Sequence, residues 1–281
     1  MSELRVPDVP GDFERRFGGL RRLYGVAGAQ RIFDGHVVVV GVGGVGSWTA
    51  EALARSGVRA LTLVDLDHVS ESNFNRQIHA NEESLGQSKV EAMRDRIALF
   101  HPQCSVQTVD DFVSSENWRG MIGQIAAAVG RPDVVVDACD QVRAKTAIAA
   151  WALELGAACV SVGAAGGKRQ PHAVEVGDLA EVTHDPLLAK LRYQLRRQHG
   201  ASRQGRMGLT CVFSREAVAA PDASCGLDAG DGSLNCHGYG SAVGVTASFG
   251  MAAAGWAINL MAESAKTSSS VFENAKKDAI I

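Results

Sequence analysis

The chain has 281 residues, of which 46% are hydrophobic and 21% charged, and carries a formal net charge of −3 at neutral pH. That length supports one large domain, or one domain with an elaborated second half, around an adequate core. The slightly acidic balance excludes a protein coated in basic surface, so any nucleic-acid site has to be a local patch.

The first 35 residues read as an N-terminal helical segment. Four short β-branched runs follow, HVVVVG (36–41), ALTLVD (60–65), SVQTVD (105–110) and DVVVDAC (133–139), each separated from the next by enough chain for a helix. Helices are predicted at 46–56, 88–100, 114–128 and 142–155. This alternation predicts an α/β fold with a doubly wound, mainly parallel sheet carrying helices on both faces. Residues 36–166 form the expected nucleotide-binding core.

After ACVSVGAAGG (158–167) the alternation fades, and residues 167–264 read as an elaborated C-terminal half. HAVEVGD is expected to be a strand, and Asp185 with Pro186 makes a good start for a helix over DPLLAKLRYQLRRQHG. Residues 200–235 show many Gly, Ser and Asp with little periodicity and are expected to be mobile loops. The uncharged stretch 242–262 matches the roughly 20 residues of a bilayer span, yet its glycines and alanines equally suit a buried helix packed close against a sheet or a second subunit. Residues 265–281 are expected to be a flexible tail.

The six cysteines, at 104, 139, 159, 211, 225 and 236, are scattered without a C-x-x-C pair, which argues against structural zinc. The charged amino terminus lacks an apolar core, so a reducing cytoplasm and free thiols are expected.

Gly41, Gly43, Gly44 and Gly46 lie where the first strand turns into a helix, so backbone amides and the helix N-terminus can face a phosphate. Asp65 ends the second strand, about 20 residues past the glycines, where a carboxylate takes ribose hydroxyls. Asp67 adds negative charge that either a cation compensates or a loop cap explains. Arg76, in SNFNRQIH, and Lys89 bring two cations to the open end of the sheet, suited to β- and γ-phosphate oxygens on a departing pyrophosphate and of no evident use in hydride transfer. Asn73 and Gln77 either align phosphate oxygens or cap turns. Asp140, placed at the lip of the fourth strand, is preferred over Asp137 as holder of a phosphate-bridging Mg²⁺.

GVGGVGSW, Asp65, NFNRQIH, Lys89 and Asp140, in that order, resemble the adenylating domain of ubiquitin-activating-type enzymes, the ThiF/MoeB superfamily, whose fold is Rossmann-like. RFGGLRRLYG, NRQIHA, VDDFV, DPLLAKLR and CVFSREA extend the resemblance to the members that dehydrate N6-threonylcarbamoyladenosine in tRNA. The resemblance implies ATP and Mg²⁺ as cofactors, a monovalent cation (Na⁺ or K⁺), a homodimer, and the CsdA/CsdE sulfur-transfer proteins as partners. It implies adenylation of the threonyl carboxylate and ring closure by an internal nucleophile that expels AMP, with Arg76, Lys89 and Asp140 catalytic. By the same carry-over the glycines, Asp65, Asp67, Asn73, Arg76 and Lys89 hold the nucleotide. Some relatives carry an R-x-x-R-Q segment whose arginine reaches ATP across the dimer; Gly19 stands at the second arginine, which leaves Arg16 or Arg22 for that contact.

For tRNA, Arg192, Arg196, Arg197 and Arg203 cluster on one predicted amphipathic helix and its exit, with Lys168 as a second candidate contact. A thioester role for Cys211 or Cys236 is discounted, since an adenylate closed by its own neighbour needs no protein thiol. The competing functions are adenylation of a small sulfur-carrier protein's C-terminal glycine and a nicotinamide-dependent oxidoreductase. Location is expected to be cytoplasmic, with peripheral membrane association through 242–262 as the other reading.

Overall fold

A computed structural model describes residues 12–220 and 239–264. Its frame is one seven-stranded sheet built from β1 (His36–Val40), β2 (Ala60–Val64), β3 (Ser105–Val109), β4 (Val134–Asp137), β5 (Cys159–Val162), β6 (Val174–Asp178) and β7 (Thr210–Ser214). The spatial order is β3-β2-β1-β4-β5-β7-β6. Every pairing is parallel except that of β6 with β7. The strand order reverses between β1 and β4, so a crevice opens beyond their C-terminal ends.

The β-branched runs are continuous rather than alternating because both faces of the sheet are covered. Alternate side chains still go to separate cores. Val37, Val39, Leu61, Leu63, Val136 and Val160 pack with α2 (Gly19–Phe33), α3 (Gly46–Arg55), α4 (Lys89–Ala98) and α8 (Val243–Glu263). Val38, Val40, Val64, Val135 and Phe213 pack with α5 (Trp118–Val129), α6 (Val142–Leu155) and α7 (Pro186–Gln198). A short α1 (Asp12–Phe17) precedes α2, whose helical course is interrupted at Gly25 (φ 71°).

Observed bounds lie close to those expected, with particular differences. The fourth strand stops at Asp137, because Ala138 to Gln141 turn toward α6. The helix expected from 114 begins at Trp118: Asn117 Oδ1 accepts from Ser114 N at 2.7 Å and Asn117 Nδ2 donates to Phe112 O at 2.7 Å, which closes a turn first. The loop expectation over 200–235 is corrected by β7. That strand sits inside the sheet between β5 and β6, with Val212 facing one core and Cys211 and Phe213 the other, so it shows no two-residue alternation to read. Residues 221–238 and the expected tail 265–281 lie outside the described residues.

Among the described residues α8 is the one helix long and apolar enough to cross a membrane. Here it packs along α3 and α2, burying Val245, Phe249, Ala253, Ala257 and Met261. Its small residues allow a close approach: a Cβ on Gly250 would lie 2.6 Å from Val45 O and 2.8 Å from Trp48 Cβ, while Thr49 Oγ1 donates to Gly250 O at 3.2 Å. On the far side of α3, the buried Glu51 receives Arg55 (2.7 Å) and Arg96 (2.9 Å), which ties α3 to α4. Overpacking so tight a crossing costs about 1–3 kcal/mol. Gly250→Ala should therefore lower stability by about 2 kcal/mol in urea unfolding; an unchanged midpoint would show that α8 can move off α3 freely.

Candidate nucleotide-binding site

The cleft lies at the switch between β1 and β4. Gly41 leaves β1 with φ 84°, and a Cβ there would come within 2.9 Å of the Ala138 carbonyl and Cys139 N. A Cβ on Gly46, the first residue of α3, would come within 1.7 Å of Gly41 O. Glycine at both positions is thus required for α3 to start against the end of β4 with its N-terminus toward the cleft. Gly43 and Gly44 line that cleft.

Asp65, at the tip of β2, accepts Val42 N on Oδ2 at 2.6 Å and Asp67 N on Oδ1 at 2.9 Å, so it braces the glycine turn while lining the cleft. Burial raises its carboxyl pKa above the ordinary value, against the pull of Lys89. The Asp67 charge is met by a cation: Lys89 Nζ donates to Asp67 Oδ2 at 2.7 Å and Lys89 N to Asp67 O at 2.9 Å, which anchors the lysine at the head of α4. Lys89 is buried at its side chain; Asp67 is exposed.

Arg76 lies across the glycine loop, its Cγ and Cδ 3.4 Å from where a Cβ on Gly44 would be. Its Nη1 donates to Ser72 O (2.6 Å) and Asn75 Oδ1 (2.9 Å), while its buried Nε has no protein partner. Trp48 Nε1 donates to Arg76 O at 3.0 Å and joins this segment to α3. Asn73 both caps and lines: its Oδ1 accepts Ser70 N at 3.1 Å within a capping box, and the residue borders the cleft. Gln77 also borders it, with Oε1 buried and without a protein partner. The unpartnered Arg76 Nε–H, beside the glycine turn, is a donor that a phosphate oxygen would satisfy, whereas Gln77 Oε1 is an acceptor and calls for a donor such as a hydroxyl.

Asp140 is exposed at the cleft, past the end of β4. Asp137, its competitor, is fully buried: Lys145 Nζ lies 3.0 Å from Oδ1 and Ser161 Oγ donates to Oδ2 at 2.7 Å. Of these two, only Asp140 is open to a cation from solution. One carboxylate beside phosphate oxygens suits Mg²⁺, which keeps several waters and rarely has an all-protein cage; among the described residues no cluster of three or more metal-ligating side chains exists.

Sequence reasoning missed the opposite wall. Gly163, Ala164, Ala165 and Gly166, together with Leu187, Phe112 and Thr246, complete the cleft. The glycine-rich run after β5 was the available signal, since it falls beside the switch point. Asp185, read only as a helix start, caps α7 by accepting Leu188 N on Oδ1 and also accepts Ala164 N on Oδ2, each at 2.9 Å.

The tRNA candidates divide. Arg197 and Arg203 are exposed, and Leu187, Leu188, Leu191 and Leu195 bury the other face of α7, as expected. Arg196 is partly buried and donates to Ser202 O at 3.0 Å; Arg192 Nη1 donates to Leu179 O (3.0 Å) and Val182 O (2.8 Å) and so holds the fold. Lys168 is corrected: it is 2% exposed, with its ammonium bonded inside the protein, and cannot reach a tRNA phosphate. Arg16 donates to Phe100 O at 3.1 Å and Arg22 is exposed on α2; neither lines the cleft of its own chain.

Thiol chemistry finds no support. Burial pushes Cys211 and Cys139 well above the ordinary thiol range, and the Cys139 thiol donates to Asp137 Oδ1 at 2.9 Å. Cys236 lies outside the described residues.

A Rossmann-like sheet whose first turn, two cations and the exposed Asp140 converge on one cleft defines an adenylating type of protein. Residues 16–276 match the ThiF family, and the chain belongs to that family. It is 42% identical over 264 residues to the tRNA threonylcarbamoyladenosine dehydratase of Escherichia coli K12, covering 90% of this chain and 96% of that protein. It is 37% identical to the dehydratase of the same name from Haemophilus influenzae, over 85% and 90%. Among solved structures, the E. coli dehydratase in complex with ATP superposes with a TM-score of 0.78 at 40% identity, covering 92% of this chain and 97% of that one. The same enzyme with AMP gives 0.79 at 42% identity over the same shares.

One buried group near Lys89 makes the fold sensitive to acid. His79 is 1% exposed and both ring nitrogens lack protein partners. Burial lowers its pKa to about 4, aided by Lys89 and Arg96; burial also brings His101, packed on Phe13 and Phe17, to about 4. An unfolded histidine takes its proton near pH 6.5. Across the window from about 6.5 to about 4 the unfolded chain therefore binds more protons, and stability falls on acidification by up to about 1.4 kcal/mol per pH unit for each ring. His79→Gln should flatten the dependence of the urea midpoint on pH between 6.5 and 4; an identical slope would mean that this ring does not titrate with unfolding.

Proposed function

We propose that this chain is an ATP-dependent dehydratase of N6-threonylcarbamoyladenosine in the anticodon loop of ANN-decoding tRNAs. The observation that carries the reading is the convergence of Arg76 and Lys89 on the glycine turn, in a chain that matches dehydratases along nearly their whole length.

The chemistry follows from the placement of charge. The threonyl carboxylate attacks the α-phosphorus of ATP, the α–β phosphoanhydride bond breaks, and pyrophosphate leaves. Negative charge grows on the departing oxygens, where Arg76 and Lys89 supply fixed donors in a partly desolvated cleft. Asp65 positions the ribose, and Asp140 is the residue that would hold Mg²⁺, which when bound neutralises phosphate charge. An internal nucleophile of the same modification then attacks the acyl carbon and loses its proton, and the bond to AMP breaks. The modified base has lost one water.

Several finer expectations are carried here as parts of the proposal. Exposed apolar side chains on α2 (Leu23, Val26) and α8 (Val243, Met251) support a homodimer, which would bring Arg16 or Arg22 toward the partner's cleft. The CsdA/CsdE partners, a monovalent ion and a cytoplasmic location rest on the family resemblance. Adenylation of a sulfur-carrier protein remains the alternative: the E. coli molybdopterin-synthase adenylyltransferase is 34% identical over 115 residues, but this spans 41% of the chain.

Incubation of threonylcarbamoylated tRNA with protein and ATP, followed by nucleoside mass spectrometry, should show loss of one water from the base. Pyrophosphate release with a carrier protein and none with tRNA would overturn the reading. Arg76→Ala and Lys89→Ala should each slow pyrophosphate release about 10²–10³-fold, measured in single turnover. Arg197→Glu with Arg203→Glu should weaken tRNA binding and lower its salt slope by about 1 per residue, with ATP affinity unchanged in calorimetry; unaltered tRNA affinity would remove α7 from the interface.

A further inference from the structure

Lys168 is unexplained by the adenylation chemistry. It lies just past the Gly163–Gly166 wall of the cleft, is 2% exposed, and spends its ammonium on backbone carbonyls: Ser214 O at 2.9 Å, Glu216 O at 2.9 Å and His184 O at 3.3 Å. An ammonium has three donors, so the count is complete. Burying such a charge costs several kcal/mol, which a merely space-filling residue would not incur; the three carbonyl contacts offset it, together with the Asp185 and Glu216 carboxylates, whose charge favours the ammonium.

Those carbonyls come from segments that meet at this point. Ser214 and Glu216 are the exit of β7, and His184 immediately precedes Asp185, the cap of α7. His184 is the one non-glycine residue with positive φ among the described residues, at 57°. The junction is fastened on both sides of the lysine. Asp185 Oδ2 accepts Ala164 N in the cleft wall at 2.9 Å, leaving no room for a side chain on Gly163, whose Cβ would lie 2.1 Å from that oxygen. The Glu216 carboxylate accepts Arg169 N and Gln170 N, each at 2.9 Å.

We infer that Lys168 is a tethered cation, a positioning residue that locks the start of α7 and the exit of β7 onto the Gly163–Gly166 wall. It keeps the basic helix and the cleft in one relative geometry. The link to tRNA rests on the proposed function; the carbonyl nest itself does not. Removing the side chain leaves a three-carbonyl cavity of a size and charge preference that free ammonium satisfies.

The test compares Lys168→Ala and Lys168→Met with the parent protein in ammonium chloride and in tetramethylammonium chloride at equal ionic strength. Lys168→Ala should melt lower than the parent in tetramethylammonium and recover in ammonium, while Lys168→Met, which fills the space without charge, should not recover. In turnover, Lys168→Ala should raise the KM for tRNA about tenfold or more through misplacement of the wall, with the KM restored by ammonium. Equal melting of Lys168→Ala in both salts, or a Lys168→Met protein with the parental KM for tRNA, would overturn the inference. If Lys168→Ala does not fold, Lys168→Ser, which leaves the same space open, takes its place: ammonium-dependent recovery supports the nest and none refutes it. A parent protein inactive on tRNA would refute the proposed function while the ammonium-dependent melting still decides the role of Lys168.

Discussion

The cleft exists because two backbones touch. Gly41 presses on the Ala138–Cys139 peptide and Gly46 on the Gly41 carbonyl, at separations that admit no Cβ. This contact aims the N-terminus of α3 at the space beyond β1 and holds the turn after β4 where Asp140 is presented. Asp65 reinforces it through Val42 N, so the expected ribose ligand is also a strut of the phosphate turn. The buried Asp137, Lys145 and Ser161 group secures the same turn from below.

Around that contact the protein manages charge in pairs. Asp65 and Asp67 would repel phosphates if left alone, but Lys89 sits against Asp67, and Arg76 is drawn across the glycine loop by carbonyl and amide oxygens rather than by a carboxylate. Arg76 therefore keeps its full charge toward the cleft. Lys89 shares its charge with an exposed partner that an arriving phosphate can outcompete, because a solvent-exposed carboxylate binds a cation weakly. The neutral His79 behind Lys89 adds no further positive charge at physiological pH.

The C-terminal half widens the sheet and closes the far wall of the cleft. β7 and β6 extend the same sheet, α7 caps onto the cleft wall through Asp185, and Lys168 gathers the loops between them. α8 backs α3 along its small residues, so the helix that follows the glycine turn is itself held by the last described helix.

Most of the fold was legible because continuous β-branched runs and helical spacing are local signals. The gathering of the glycine turn, Asp65, Arg76, Lys89 and Asp140 at one cleft was legible because the turns that follow the strands of an open parallel sheet collect at one end of it. β7 was not, since TCVFS between glycine-rich segments looks like a loop until two neighbours pair with it. The residue type of Lys168 suggested a surface cation, and nothing in its neighbourhood along the chain announces carbonyls contributed by His184, Ser214 and Glu216. The sequence alone determined which elements form and which side chains stand at the ends of the strands, because both depend on neighbours a few residues away. Only the tertiary structure decided which cations face solvent, which carboxylate is buried and which wall closes the cleft, because burial and partnership are settled by segments far apart in the chain.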